Sequence, residues 1–125
     1  PFGRNDEGGS LENFYKKVYI KSKINYNIIM NGFVYILSND KNEVFYVGMT
    51  SNLKRRLYEH RNHLISGFTD KYNITKVLYV ESSNYIIDSI KREKQIKKWS
   101  KNKKINLVKT VNPYLIDLYD EIMSS

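Results

Sequence analysis

Two short apolar runs separated by a polar turn constrain the fold of this chain more than any other feature. Residues 33–38 and 44–48 are rich in β-branched and aromatic side chains, and the polar cluster Asn-Asp-Lys-Asn lies between them at 39–42. β-Branched and aromatic residues favour extended backbone, whereas Asn and Asp favour turns because their side chains hydrogen-bond to nearby backbone groups. The pattern therefore predicts a β-hairpin.

The register of this hairpin decides which side chains face one another. A turn centred between Asp40 and Lys41 places Tyr35 opposite Tyr46, and both rings then lie on one face of the sheet. Two interpretations are open for this pair. The rings either stabilise the hairpin as an ordinary cross-strand aromatic pair, or they form part of a functional site.

Downstream of the hairpin, the sequence predicts helices interrupted by one further strand. Apolar residues at helical spacing indicate a first helix over residues 53–65, and residues 76–81 indicate a third strand. Three more helices are predicted, over residues 85–99, 100–108 and 113–122, the last beginning at Pro113. Small polar residues are expected to cap the first three helices: Thr50 or Ser51, Ser83 or Asn84, and Ser100. The order ββαβααα predicts an α+β domain with a three-stranded antiparallel sheet flanked by helices.

Length and composition are those of one globular domain. The chain has 125 residues, 41% of them apolar, and no cysteine, which excludes disulfides and thiolate zinc sites. Its longest apolar runs span about five residues, far short of the roughly twenty that cross a bilayer. We therefore expect a soluble, cytoplasmic protein with no membrane partner. Residues 1–29 are predicted to be a flexible or dispensable N-terminal extension, and residues 30–125 to form the functional domain.

Positive charge is concentrated in one segment. The net charge of the chain is +8, and residues 91–104 carry eight Lys or Arg and one Glu, so this segment alone contributes +7. A basic block on or beside a helix is typical of a surface that binds a polyanion such as nucleic acid. The alternative is a solvated, Lys-rich helix face without a partner.

Arg56 and His60 are spaced i, i+4 in the first predicted helix and therefore share a face. Leu53 and Leu57 flank that face, which places it at the border of the core. A guanidinium in this position suits a forked grip on a phosphate. The plainer alternatives are a surface arginine and a rim histidine without a role.

Glu93 is the one acidic residue in the basic segment. At about 100° per residue it falls within the apolar stripe that Ile86 and Ile90 define. A carboxylate facing a core is strongly unfavourable unless it is paired or binds a cation. Glu93 is therefore either half of a salt bridge, with Arg56 or a neighbouring Lys, or a ligand for a hard cation such as Mg²⁺.

Taken in chain order, these residues resemble the motifs of the GIY-YIG endonuclease superfamily. The triplets Phe33-Val34-Tyr35 and Tyr46-Val47-Gly48 are similar to its two half-motifs, with Phe33 in place of the usual first Gly. The runs GFTDKY and KREKQIKKW are similar to its small, single-domain bacterial branch. The resemblance covers residues 32–110 and implies this catalytic set: Tyr35, Tyr46, Arg56, His60, Glu93 and Asn106.

What the resemblance implies is a divalent-metal-dependent endonuclease that hydrolyses DNA. We expect little sequence specificity, because the sequence shows no added specificity domain. One of the two tyrosines would act on the attacking water, Arg56 would clamp the phosphate, and Glu93 would bind one Mg²⁺ or Mn²⁺ ion. The substrate would be single-stranded, branched or duplex DNA. Basic side chains would contact the flanking phosphates: Lys54, Arg55, Lys94, Lys97, Lys98, Lys101, Lys103 and Lys104.

Two other functions are compatible with the sequence. The first is a non-catalytic nucleic-acid-binding module of the same fold, although every side chain of the implied catalytic set is present. The second is an interaction protein whose Lys-rich helix binds an acidic partner. The sequence does not fix the oligomeric state.

Overall fold

The fold is built on a three-stranded antiparallel sheet. The computed structural model describes residues 30–125, in which the strands are β1 (Gly32–Ser38), β2 (Phe45–Thr50) and β3 (Lys76–Ser83). Their order is β2-β1-β3, so β1 is central and the other two are edge strands. The predicted hairpin, the third strand and the α+β class are confirmed. The prediction for residues 1–29 lies outside the described residues.

Helices flank this sheet in the described part of the chain. They are α1 (Leu53–Arg61), α2 (Phe68–Lys71), α3 (Ile86–Lys97), α4 (Lys101–Lys109) and α5 (Tyr119–Met123). Helices α3 and α4 lie within two residues of their predicted bounds, but the first helix ends at Arg61 rather than near residue 65. The short helix α2 was not predicted. It follows Gly67, whose φ of 118° is a conformation that favours glycine.

The predicted register of the hairpin is wrong by two residues. Tyr35 pairs with Gly48, and Tyr46 pairs with Leu37. A shift of one residue would have moved every side chain of a strand to the opposite face, whereas a shift of two preserves the faces. Tyr35 and Tyr46 therefore still lie on the same side of the sheet, as diagonal rather than direct neighbours.

The turn explains the shift, because the strands are joined by residues 39–44 rather than by the predicted cluster 39–42 alone. The Asn39 side-chain oxygen accepts hydrogen bonds from the backbone N–H groups of Glu43 and Val44, at 2.8 and 3.0 Å. Asn42 adopts a φ of 56°, in the left-handed region that Asn tolerates. These contacts centre the turn one residue later than expected.

Of the predicted helix caps, only Ser100 is correct. Its side chain accepts a hydrogen bond from the backbone N–H of Lys103 at the start of α4. Helix α1 is capped by Asn52, which accepts from the Arg55 N–H, whereas the Thr50 hydroxyl contacts the backbone of Asn52 instead. Thr50 is the last residue of β2, so its backbone belongs to the ladder rather than to the helix start.

The cap of α3 was also predicted wrongly. The residue that precedes this helix is Tyr85, and no side chain caps it. Ser83 instead contacts the Ser89 hydroxyl at 2.6 Å and donates to the Tyr85 carbonyl at 3.0 Å. That contact ties the end of β3 to the first turns of α3.

The helix predicted to begin at Pro113 is not formed there. Leu115 has a φ of 53°, which no right-handed helix accommodates. Asn112 organises this segment: its amide donates to the carbonyls of Leu78 and Ile116 at 3.0 and 2.8 Å, and its oxygen accepts from the Ile116 N–H. The side chain thus closes a loop where the pattern suggested a helix, and only α5 follows it.

Alternate residues of β1 separate the core into two layers. Val34 and Ile36 belong to a buried cluster that includes residues of α3 and α4. Tyr35 and Leu37 belong to a second cluster on the other face, together with Leu57 of α1 and with residues of α5 packed against it. The predicted site residues are therefore divided between two faces of one sheet.

A chain that begins at Met30 is expected to fold on its own, because residues 30–125 contain the three strands and the two buried clusters that the structure describes. Its thermal midpoint, followed by circular dichroism, should lie within about 5 °C of that of the full chain, which corresponds to roughly 1 kcal/mol for a domain of this size. A chain beginning at Asn39 is the control. It lacks the central strand and should not unfold cooperatively. A much larger drop for the Met30 chain would assign residues 1–29 to the core.

Candidate active site

Three rings from three different elements meet on the α1 face of the sheet. The centroid of the Tyr35 ring lies 6.4 Å from that of Tyr46 and 5.7 Å from that of His60. The Tyr46 and His60 centroids are 5.6 Å apart. The structure thus brings three of the predicted catalytic residues into one cluster, which includes a side chain of α1 as well as the two tyrosines of the hairpin.

His60 is the hydrogen-bonded centre of this cluster. The residue is 4% exposed, and its Nε2 lies 3.0 Å from the Tyr35 hydroxyl. Its Nδ1 lies 3.1 Å from the hydroxyl of Thr69, a residue of α2. A phenol, an imidazole and an aliphatic hydroxyl therefore form a chain. Because both ring nitrogens are bonded, the orientation of the imidazole is fixed from two sides.

Burial keeps this imidazole neutral. The pKa of His60 is lowered to about 3, mainly by desolvation and secondly by the positive charge of Arg56. A neutral imidazole has one donor and one acceptor nitrogen, so it can pass a proton between two hydroxyls but holds no charge at neutral pH. His60 is consequently not the exposed rim histidine of the plainer interpretation.

Tyr35 can take up its position because residue 48 is glycine. The two residues pair across the ladder, and a Cβ at Gly48 would overlap the hydroxyl and the outer carbons of the Tyr35 ring. The requirement at Gly48 is space rather than an unusual backbone conformation. Tyr35 is thereby fully buried, whereas Tyr46 is half-buried and keeps part of its side chain accessible.

Arg56 lies on α1 one turn before His60 and is half-buried. Its Nε is 3.3 Å from Glu59 Oε1, an i, i+3 ion pair at the border between core and solvent. The effect of Arg56 on the pKa of His60 places its charge close to the ring cluster. This position at the edge of the site agrees with the predicted one.

Glu93 is buried, as its place in the helical pattern predicted, with 3% of the residue exposed. Its Oε2 forms an ion pair with Lys97 Nζ at 3.0 Å, so the salt-bridge partner is a neighbouring Lys and not Arg56. Helix α3 packs against all three strands on the face opposite the rings. Both faces adjoin β2, which is an edge strand.

A divalent cation is compatible with Glu93. Among residues 30–125, no three His, Cys, Asp or Glu side chains form a cluster that could hold a metal ion. Mg²⁺ does not require such a cluster, because it keeps several waters and commonly takes only one or two protein carboxylates together with substrate phosphate. Glu93 would supply the protein carboxylate of such a site.

Asn106 is not brought to the ring cluster. It lies on α4, on the opposite face of the sheet, and its side chain is exposed. The buried asparagine of this region is Asn112, whose amide is fully occupied by backbone partners. Asn112 therefore has a structural role, and a role for Asn106 in the site stays a prediction.

The predicted phosphate-binding side chains fall on two surfaces. Lys54 and Arg55 are exposed on α1. The others lie along or beside α3 and α4: Lys94, Lys97, Lys98, Lys101, Lys103 and Lys104. Lys101 donates to the Glu43 carbonyl at 2.7 Å, and the ammonium of Lys103 lies 4.4 Å from the centroid of the Trp99 ring. Lys104 is half-buried, and burial, followed by the charge of Lys97, lowers its pKa.

Two residues of the site were not singled out from the sequence. Thr69 bonds His60 from a short helix that the sequence pattern did not indicate, although the GFTDKY run that contains it was noted. The sequence assigned Lys97 only to phosphate contact. Its i, i+4 spacing from Glu93 was a signal that could have predicted the ion pair.

Comparison with known proteins identifies the family of this chain. Residues 31–106, which contain all six predicted catalytic residues, match the GIY-YIG catalytic domain. The chain belongs to the GIY-YIG family. GIY-YIG proteins form a nuclease family, so the match indicates nucleic acid as the substrate in general.

Relatives of this GIY-YIG protein include two called UPF0213 proteins, a name that states no activity. The one from Syntrophus aciditrophicus (strain SB) is 35% identical over 79 residues, which are 62% of this chain and 88% of the relative. The one from Clostridium perfringens (strain 13 / Type A) is 34% identical over 76 residues, with coverage of 61% and 81%. A solution NMR structure of a UPF0213 protein from Bacillus halodurans is 24% identical, covers 66% of this chain and 87% of its own, and has a TM-score of 0.44.

Within residues 30–125, no helix of this GIY-YIG protein is both long enough and apolar enough to cross a membrane.

The imidazole of His60 is expected to stay neutral between about pH 5 and pH 8, because its pKa of about 3 lies well below the ordinary 6.5. Ring ¹⁵N chemical shifts measured by NMR should show one neutral tautomer with no titration in this range. Between about pH 3 and 6.5 the unfolded chain binds a proton here that the folded chain does not. The resulting stability is present above pH 6.5 and is lost as the pH falls toward 3.

Thr69→Val is the matched variant for this measurement, since it removes the hydroxyl bonded to Nδ1 and keeps the shape of the side chain. It should change the tautomer populations of His60 without restoring titration near neutral pH. A His60 resonance that titrates with a midpoint near 6.5 would contradict the burial on which the site depends.

Proposed function

We propose that this protein is a divalent-metal-dependent endonuclease that hydrolyses phosphodiester bonds in DNA with little sequence specificity. The proposal rests mainly on the buried hydrogen bond between Tyr35 and His60 beside the accessible Tyr46 ring, within a catalytic domain of a nuclease family. Hydrolysis requires that a water be activated, that the charge on the phosphorane be stabilised and that the leaving oxygen be neutralised.

Tyr46 is the tyrosine that would act on the attacking water. Its ring is half-buried, whereas Tyr35 is fully buried and its hydroxyl is bonded to His60. A phenol with a pKa near 10 is a poor base at neutral pH unless positive charge lies nearby. Because His60 is neutral, that charge would come from Arg56 and the bound cation rather than from an imidazolium. Tyr35 and Thr69 would hold the imidazole in place.

Arg56 would clamp the scissile phosphate. Its position at the rim of the ring cluster leaves the guanidinium half-exposed, and the pair with Glu59 orients it. A guanidinium donates two parallel hydrogen bonds to two phosphate oxygens, which fixes the phosphate and stabilises its additional charge in the transition state.

Glu93 would hold the divalent cation, Mg²⁺ or Mn²⁺. When bound, such an ion supplies Lewis-acid stabilisation at the leaving oxygen. Glu93 is on α3, which packs on the face opposite the ring cluster, and the edge strand β2 both carries Tyr46 and contacts α3. A phosphodiester lying along the free edge of β2 would therefore meet Tyr46 and Arg56 from one face and Glu93 from the other.

The basic side chains of residues 91–104, on α3 and the first turns of α4, would bind DNA through its phosphates. Such contacts position the substrate but do not read bases, which agrees with little sequence specificity. Within residues 30–125, α4 packs on the same cluster as α3, the helix that carries Glu93, so the two basic helices lie on one side of the sheet. Single-stranded, branched and duplex DNA all present these phosphates.

The Glu93→Gln variant should lose nicking of supercoiled plasmid DNA in Mg²⁺ by at least about a hundredfold, because its amide cannot replace a carboxylate ligand. Its affinity for DNA, measured by fluorescence anisotropy without metal, should stay within a few-fold of wild type. Asp88→Asn is the matched control, since it makes the same chemical change at an exposed position of α3. It should nick DNA at the wild-type rate.

Nicking by Glu93→Gln at a rate near that of wild type would remove the metal site from the proposal. If the wild-type protein binds DNA but does not cut it in Mg²⁺ or Mn²⁺, the protein is a non-catalytic binding module of the same fold. If it neither binds nor cuts nucleic acid, the result favours an interaction protein whose basic helices bind an acidic partner other than nucleic acid.

Replacing Lys98, Lys101 and Lys103 together by Gln should flatten the salt dependence of DNA binding. Each Lys that neutralises a phosphate contributes about −0.9 to the slope of log K against log salt on duplex DNA. The slope should therefore become less steep by about 2 to 3, and all sequences should bind more weakly to a similar extent. The measurement is a series of anisotropy titrations between about 50 and 200 mM salt.

A second triple variant, with Gln at Lys41, Lys71 and Lys109, separates local contacts from total charge. These lysines are exposed outside α3 and the first turns of α4, and the variant has the same net charge. Its slope should stay close to that of wild type. Equal slopes for the two triple variants would mean that α3 and α4 are a solvated face and that DNA is held elsewhere.

A further inference from the structure

The carboxylate proposed to hold the metal ion is already paired with a positively charged lysine side chain of the protein. Lys97 Nζ lies 3.0 Å from Glu93 Oε2. The side chain of Glu93 is 4% exposed and that of Lys97 is 37% exposed, so the carboxylate is inside the protein and the ammonium reaches it from the surface. The two residues are i, i+4 on α3, with Glu on the N-terminal side, which is the favourable orientation for such a pair.

The surroundings of Glu93 explain why it needs a positive partner. Ile90 and Ile96, on the same side of the helix, are buried in the cluster between α3 and the sheet. A carboxylate in such a place is unfavourable unless a positive charge neutralises it. Lys97 meets that need within the chain, and a divalent cation bound to Glu93 would meet the same need.

We propose that the Lys97 ammonium and the divalent cation compete for Glu93, so that Lys97 sets the metal affinity of the site. This inference rests on the proposed function. The two cations exclude one another because like charges a few Å apart repel strongly where the surroundings are apolar. The Lys97 side chain is flexible and reaches the surface, so its ammonium can turn toward solvent while the helix stays in place.

Nucleic acid offers the displaced ammonium a second partner. Lys97 lies in the basic segment 91–104, beside other lysines of α3 and α4. A DNA phosphate that draws Lys97 away from Glu93 frees the carboxylate for the cation. By thermodynamic linkage, DNA and metal then each strengthen the binding of the other. The free protein holds its metal weakly, and the site becomes fully loaded when substrate arrives.

The competition is tested by titrating the full chain with Mn²⁺ in the absence of nucleic acid and measuring free Mn²⁺ by electron paramagnetic resonance. Lys97→Met keeps the length of the side chain and removes its charge. It should bind Mn²⁺ about three- to tenfold more tightly than wild type, the range expected for losing one such ion pair. Lys97→Arg keeps the charge and should bind Mn²⁺ as wild type does.

Lys91→Met is the matched control for total charge. Lys91 is exposed on the same helix, two residues before Glu93, and its loss changes the net charge equally. Its Mn²⁺ affinity should stay within about twofold of wild type, because an exposed charge is largely screened by salt. Equal strengthening by both variants would overturn the inference, since total charge would then explain the effect.

Thermal unfolding gives a second readout that does not depend on cleavage. Without metal, Lys97→Met leaves Glu93 buried and uncompensated, so it should melt below Lys91→Met. Mn²⁺ should raise the melting temperature of Lys97→Met more than that of wild type, because tighter binding to the folded chain stabilises it more. If Lys97→Met does not fold without metal, its folding on addition of Mn²⁺ supports the competition, and failure to fold in Mn²⁺ overturns it.

The remaining outcomes separate this inference from the proposed function. Measurable Mn²⁺ binding by wild type with unchanged affinity in Lys97→Met overturns the competition and leaves the nuclease proposal intact. An absence of Mn²⁺ binding by both wild type and Lys97→Met overturns the competition, whereas the nuclease proposal is decided by the nicking assay in Mg²⁺ or Mn²⁺. Tight binding that persists in the double variant Glu93→Gln, Lys97→Met overturns the competition, because the ion would then lie away from Glu93.

Discussion

The hydrogen bond between the Tyr35 hydroxyl and the His60 imidazole is the contact on which the α1 side of this protein depends. It joins the central strand to the first helix inside the core, and both partners are almost completely buried. A polar pair in such a place must be satisfied completely, because an unpaired donor or acceptor there is costly. Thr69 completes the pairing at the other ring nitrogen, and the missing side chain of Gly48 provides the space for the phenol. The motif residues and the fold therefore constrain each other.

A second buried polar group lies across the sheet. Glu93, on the helix that packs on the apolar cluster of this face, is paired with the ammonium of Lys97, whereas His60 loses its charge altogether and is held by neutral hydrogen bonds. The free-energy cost of burying a charge is thus offset by an ion pair on one face and avoided by a neutral imidazole on the other. A neutral chain of hydrogen bonds suits the orientation of a water or a phenol, and the Glu93 carboxylate is the group that the proposed cation would bind. The edge strand β2 carries Tyr46 and contacts α3, so the proposed substrate would meet residues of both layers along this strand.

Much of the fold could be predicted because local signals were strong. The hairpin, the third strand and α3 follow from side-chain periodicity, and the burial of Glu93 follows from its position on the apolar stripe. The failures have equally local causes that composition does not reveal. Asn39 lengthens the turn by accepting two backbone hydrogen bonds, and Asn112 closes a loop where Pro113 suggested a helix start. In each case one amide side chain competes with regular backbone structure, and its choice of partner depends on the folded surroundings.

The sequence by itself determined which chemical groups the protein has and on which elements they lie: two tyrosines on a hairpin, Arg56 and His60 on one helix face, and one inward carboxylate among lysines. Periodicity carries that information because strand and helix geometry are fixed by the backbone. Only the tertiary structure decided that His60 is neutral, that Tyr46 rather than Tyr35 is accessible, and that Glu93 lies across the sheet from the rings. Burial and long-range pairing set these properties, and both depend on which surfaces pack together after the elements have formed.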